Sequence, residues 1–180
     1  MRRRHALSIC LAAPLLAWSR QSLAALAALG SSPGDFAAQD VDDKSTSLYA
    51  FRGKPVLVVY EDKDAGEQNA KTKKRIGELA KSGTLAKKIG LFAVADVQSW
   101  DFWPAKGYVK DELRAQGKKF GITIWADWNG AGRAKLGAQV SKSNLFVLDA
   151  KGKVLWATSG KLTPKHEATL VALLEELAAS

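Results

Sequence analysis

Val56-Leu57-Val58-Val59-Tyr60 is an apolar run with no charge and no turn-forming residue. A strand with one wet face carries polar residues at every second position, so this run predicts a strand covered on both faces. The chain must therefore supply helices to two sides of one sheet. Gly53-Lys54-Pro55 marks the turn before the run, and Pro55 stands at the strand's start, where its missing N–H does little harm. Ile89 to Val97 reads as a second buried strand. Between them, Glu67 to Lys81 has helical spacing, with Thr72, Ile76, Leu79 and Ala80 on one face and Lys71, Lys74, Arg75 and Glu78 elsewhere. Strand, helix and strand in this order predict a parallel pair joined by a right-handed crossover.

The flanking segments complete the pattern. Phe36 to Gln39 and Ser47 to Phe51 are expected as short strands around the polar turn Asp40 to Lys44. Ser99 to Tyr108 is aromatic-rich and reads as irregular. A basic helix over Val109 to Lys119 follows, then a strand over Ile122 to Ala126, a turn Asp127-Trp128-Asn129-Gly130, and a short helix over Ala131 to Leu136. Asn144 to Asp149 and Lys153 to Ala157 form a hairpin about Ala150-Lys151-Gly152. Thr163-Pro164 is an N-cap followed by proline at the first helical position, with Leu170, Val171, Leu174 and Leu177 on one face of the closing helix. The expected fold class is α/β: a mixed sheet with helices on both faces and an N-terminal β-hairpin.

Ahead of this domain stands a different kind of sequence. Arg2-Arg3-Arg4 precedes an apolar run from Ala6 to Trp18, and Ala25-Leu26-Ala27 and Ser22-Leu23-Ala24 are two small-x-small cleavage motifs. This is the layout of a secretory signal peptide, and the run is too short to span a bilayer. The boundaries read as a signal peptide over 1–27 and a single domain over 28–180. The consecutive arginines leave both the general secretory and the twin-arginine route open. Cleavage near Ala27 would remove four arginines and no acid, lowering the net charge from +9 to about +5. It would also remove Cys10, the one cysteine of the 180 residues, and with it any thiolate chemistry. Cys10 sits inside the apolar run after the bulky Ile9, a poor context for lipidation. The expected location is periplasmic or secreted, with no stable membrane span after cleavage.

Gly34-Asp35-Phe36 leading to Asp42-Asp43-Lys44, Ser47-Leu48 through Phe51-Arg52-Gly53-Lys54-Pro55-Val56-Leu57-Val58, and the hairpin Phe146 to Val154 frame nearly the whole domain. In this order and spacing they resemble the thioredoxin-like superfamily, in its exported TlpA-like and peroxiredoxin-like forms. Lys142 to Asp149 followed by Gly160-Lys161-Leu162-Thr163-Pro164 is most similar to the YtfJ branch of small periplasmic proteins. The resemblance implies that a redox-active relative carries Cys-x-x-Cys at the opening of the helix after the first central strand, and a cis-proline just before the hairpin strand. Here those places read Ala65-Gly66-Glu67-Gln68 and Ser143. A non-proline cis bond costs about 2.5–4 kcal/mol, so the bond before Ser143 is expected to be trans.

Several groups could still carry function. Asp62 and Asp64 follow a buried strand, as the carboxylates of haloacid-dehalogenase phosphatases do, but Gly66 stands where that motif wants Thr or Val. An EF-hand reading fails because the twelfth position from Asp62 is Lys73. The alternative is that these are loop acids favouring the positive end of the next helix. Trp100, Phe102 and Trp103 should leave the sheet at its C-terminal edge, where α/β folds bind ligands, and with nearby acids and Lys106 could grip a peptide, a glycan or a lipid head group. The competing expectation is that these rings close over the sheet edge. Trp125 and Trp156 are expected in the core or on a strand face, and Trp128 is the other ring that could be exposed. Lys71 to Arg75 and Lys118-Lys119 are short basic runs of the kind that solvate a helix face, so nucleic acid is not an expected partner. Two histidines and one cysteine exclude a Cys-built zinc or iron–sulfur site, and no cofactor or metal is expected.

The candidate partner-binding edge is Asp62, Asp64, Glu67, Trp100, Trp103 and Ser143. The leading expectation is a non-catalytic envelope protein whose partner is a protein, peptide or glycan. The alternatives are a thioredoxin- or peroxiredoxin-type antioxidant and a carboxylate-dependent hydrolase.

Overall fold

The computed structural model describes residues 25–81 and 87–180, without the side chains of 79–81. The basic and apolar leader, Cys10 and the motif Ser22-Leu23-Ala24 lie outside the described residues, as do the positions of the Leu79 and Ala80 side chains. The strands are β1 (Ala37–Gln39), β2 (Ser45–Ser47), β3 (Val56–Glu61), β4 (Gly90–Asp96), β5 (Ile124–Asp127), β6 (Asn144–Leu148) and β7 (Val154–Ser159). The helices are α1 (Ala70–Lys81), α2 (Ala105–Phe120), α3 (Ala131–Leu136) and α4 (Pro164–Ala179).

The strands form one mixed sheet in the order β2-β1-β5-β4-β3-β6-β7. β3, β4 and β5 run parallel, with Leu57 opposite Leu91 and Val94 opposite Trp125. β6 is antiparallel to β3, with Leu57 opposite Val147, and β1 and β2 form the N-terminal hairpin. The period of two sorts the central side chains into two cores. Val56, Val58, Tyr60, Phe92, Phe146 and Leu148 meet Phe36, Leu48 and Leu136 on one face. Leu57, Leu145 and Val147 meet Ile76 of α1 and Leu170, Leu174 and Ala178 of α4 on the other. The uninterrupted apolar run of β3 thus has a cover for each face. At the far side of the sheet Val109 and Leu113 of α2 pack against Val97, Ala126 and Trp128. Before the hairpin, Leu26 and Ala27 pack against the first core.

Several boundaries differ from expectation. Ser47 to Phe51 is not a strand: β2 ends at Ser47, and Leu48–Phe51 is a 3-10 turn. Side chains three apart eclipse in a 3-10 turn, so Leu48 and Phe51 both reach the first core, where Phe51 meets Phe92 at 5.1 Å. The α1 helix begins at Ala70 rather than Glu67, because Asn69 is left-handed at φ 59° and Ala65 to Gln68 close into turns. α2 begins at Ala105, so Ala105 to Tyr108 is helical where an irregular segment was expected. α3 falls on the expected residues. α4 has its expected start, with the Thr163 hydroxyl accepting from the His166 N–H at 3.2 Å.

Candidate functional site

Because β3, β4 and β5 are parallel, Glu61, Asp96 and Asp127 all arrive at one edge of the sheet. The segment entering β6 lies there too, since Asn144 is opposite Tyr60. Two clusters of polar side chains occupy this edge.

The first joins the β3–α1 loop to residues 141–143. Asp62 accepts from the N–H groups of Asp64 and Ala65 through one carboxylate oxygen, at 3.1 Å each, and from the Ser141 N–H through the other at 2.6 Å. Gln68 grips the same segment with both ends of its amide: Nε2 donates to the Ser141 carbonyl at 3.0 Å, and Oε1 accepts from the Ser143 N–H at 3.2 Å. The Ser143 hydroxyl donates to Glu61. Lys73 donates to both Glu61 oxygens, at 3.1 and 2.9 Å, and to the Gly66 carbonyl at 2.6 Å. Burial pushes the Glu61 carboxyl above its usual range, with Lys73 and then Ser143 pulling against it. Asn69 closes the far side, accepting from the Leu162 N–H at 2.8 Å and donating to the Gly160 carbonyl at 2.9 Å.

The second cluster sits under the β5–α3 turn. Asp127 is fully buried; it accepts from the Ala131 and Gly132 N–H groups at 3.2 and 2.7 Å, and from the Tyr60 hydroxyl at 2.8 Å. Burial first, and the Asp127 charge second, hold the Tyr60 phenol far above its ordinary range, so it remains a donor. The Arg133 Nε donates to Asp96 at 2.6 Å. That hydrogen bond raises the pKa of Arg133, with Asp62 contributing at longer range.

Of the sequence-derived candidates, the structure brings Asp62 and Ser143 together and leaves the others apart. Ser143 is fully buried with its hydroxyl committed to Glu61, so it shapes the edge and offers no contact surface. The peptide bond before it is trans. Asp64 is exposed and pairs with Lys63, and Glu67 is exposed. Trp100 is half-buried in a 3-10 turn spanning Gln98–Trp100. Phe102, Trp103 and Tyr108 face solvent, at 56, 91 and 75% exposure, so this loop does not close over the sheet edge. Trp128 is buried rather than exposed, because α2 crosses over it and Lys106 places its ammonium 4.5 Å from the ring centre. Trp125 and Trp156 pack on strand faces as expected. Among the described residues, no hydrogen bond, ion pair or ring contact joins Trp100 or Trp103 to the Asp62 cluster.

Sequence reasoning did not single out Glu61 or Gln68 within the β3–α1 loop, and it missed Lys73, Asp96 and Asp127. A signal was present for three of them: Glu61, Asp96 and Asp127 are each the first acid after an apolar strand, at the edge where parallel strands end.

No protein-family model matches the chain, and no curated protein matches it. Solved structures do. A candidate protein disulfide isomerase from Bacteroides thetaiotaomicron superposes with a TM-score of 0.65 at 18% identity, over 86% of this chain and 92% of that one. The exposed lipoprotein thioredoxin of Streptococcus pneumoniae gives 0.58 at 16% identity, over 79% and 99%. The peroxidoxin BcpB of Mycobacterium tuberculosis gives 0.56 at 19% identity, over 85% and 97%. The fold is thioredoxin-like. At these identities the likeness establishes architecture and leaves the chemistry to the residues.

In this thioredoxin-like domain the turn Ala65-Gly66-Glu67-Gln68 holds no sulfur; its Ala65 N–H is bound by Asp62, and its Gln68 side chain is tied to Ser141 and Ser143. Both Asp62 oxygens already accept backbone N–H groups, which suits a loop clamp better than a nucleophile. Among the described residues no group of three or more His, Cys, Asp or Glu side chains is placed to hold a metal ion. No helix among them is long and apolar enough to cross a membrane.

Proposed function

We propose that this chain is an exported, YtfJ-type thioredoxin-like protein of the cell envelope that binds a partner and exchanges no electrons. The observation that carries this reading is the turn at 65–68. Where the superfamily resemblance places a Cys-x-x-Cys, Gln68 instead spends both ends of its amide on the backbone of Ser141 and Ser143. A thiol cannot be supplied from elsewhere in the domain, because Cys10 is the one cysteine and stands in the leader. The partner, an envelope protein, peptide or glycan, meets the loop that carries Trp100, Phe102 and Trp103. Large amphipathic rings with exposed faces supply much of the contact energy in such interfaces. Asp62, Asp64 and Glu67 border the same edge and add acidic character to it.

The test has two arms. Protein isolated from the envelope is expected to show no disulfide reduction, peroxide turnover or Mg²⁺-dependent phosphatase activity; turnover abolished by Asp62→Ala would instead establish the hydrolase reading. A photoreactive amino acid at position 103 is expected to crosslink a defined envelope species. The same probe at position 151, in the β6–β7 turn at the opposite end of the sheet, is expected to capture none. Equal capture from both positions refutes the aromatic loop as the docking site.

A further inference from the structure

Of the small-x-small motifs that follow the apolar run, Ser22-Leu23-Ala24 and Ala25-Leu26-Ala27 stand nearest it, and either satisfies a signal peptidase, which cuts after the third residue of such a motif. The peptidase reads an extended chain before folding, so the two motifs differ chiefly in what each product keeps. The structure uses the second motif as part of the domain. Leu26 and Ala27 pack against the core that contains Leu136, Phe146 and Leu148. The Ala27 N–H donates to the Leu136 carbonyl at 2.9 Å, satisfying one of the acceptors left open at the end of α3. The Ala25 carbonyl lies so close to Gly137 that a Cβ there would overlap it. Further on, the Gly30 N–H donates to the Val154 carbonyl at 2.8 Å, and the Val154 N–H donates to the Ser31 carbonyl at 2.9 Å. The ordered path thus runs continuously from Ala25 to the start of β7. A cut after Ala27 would strip Leu26 from the core and leave the Leu136 carbonyl without its partner.

We infer that the leader is removed by hydrolysis of the Ala24–Ala25 bond, with Ser22 and Ala24 as the small residues the peptidase reads. This rests on the export reading above. Water adds across the amide, leaving a carboxylate on Ala24 and an ammonium on Ala25, which becomes the N-terminus of the mature protein. The first motif also stands nearer the end of the apolar run at Trp18. The domain therefore starts three residues before the boundary suggested by the second motif.

The full-length chain is expressed in an export-competent bacterium, and the soluble envelope fraction is read by intact mass and N-terminal sequencing. The expected mature chain begins at Ala25. A chain beginning at Ala28 overturns the inference while leaving export intact. Recovery of the full-length chain alone overturns export, and the cleavage with it. In Ala24→Phe, which blocks the first motif without touching the described domain, the Ala25 product is expected to disappear. Any product diverted to Ala28 is expected to melt about 3–6 °C lower than the Ala25 form. Unchanged processing of Ala24→Phe, or an Ala28 product that melts like the Ala25 form, overturns the inference.

Discussion

Glu61 and Lys73 illustrate how single residues set the electrostatics of this edge. Their side chains are 13 and 18% exposed, so each charge depends on the other for most of its compensation. Lys73→Met leaves the carboxylate with Ser143 alone and drives its pKa further upward. A carboxyl whose folded pKa exceeds its unfolded value holds its proton more tightly when folded, so stability falls as pH climbs between the two values. Lys73→Met is therefore expected to cost about 3 kcal/mol at pH 8 and markedly less at pH 5, as read from urea midpoints. An equal loss at both values refutes the coupling. Asp127 is the other decisive residue: Asp127→Ala orphans the Tyr60 hydroxyl and the Gly132 N–H, while the Ala131 N–H keeps Asn129 as its acceptor, for an expected loss of about 2–4 kcal/mol in the same assay. Both acids were visible in the sequence as the charged ends of apolar strands. Their partners were not, because Lys73 is 12 residues from Glu61 and Tyr60 is 67 from Asp127. Only folding decides such pairings.

At the scale of elements, the start of α1 turns on Asn69. Its left-handed backbone breaks the helical run, and its side chain ties α1 to the segment leading into α4. Asn69→Ala is expected to lose about 2–3 kcal/mol, combining backbone strain with two lost hydrogen bonds. Asn69→Gly, which keeps the backbone conformation, should recover part of that loss; thermal melts of the two variants separate the contributions. The helical periodicity of Glu67 to Lys81 was legible, but nothing local marked Asn69 as left-handed, since its partners Gly160 and Leu162 lie more than 90 residues on. The expected strand over Ser47 to Phe51 failed for a related reason. Leu48-Tyr49-Ala50-Phe51 is a short apolar and aromatic run, yet the first core takes Leu48 and Phe51 together, which a 3-10 turn permits and a strand does not. Long apolar segments such as β3, β4 and the hairpin were read closely because burial on both faces leaves few alternatives for such runs.

The whole molecule separates a wired edge from an exposed one. Residues 61–69 and 141–143 form a closed hydrogen-bonded unit, whereas Trp103 stands almost entirely in solvent. Trp103→Ala is accordingly expected to leave the melting temperature within about 1 °C of the parent while reducing partner crosslinking from a probe at position 102; a drop of several degrees would place the ring in the folding core instead. The α/β class, the parallel β3–β4 unit and the lack of a thiol in the domain follow from local pattern and composition, which act through periodicity and residue chemistry alone. Which acids meet which bases and which aromatic rings remain wet depend on contacts between distant segments. Those contacts exist once the two cores have closed on the sheet, and no local pattern encodes them.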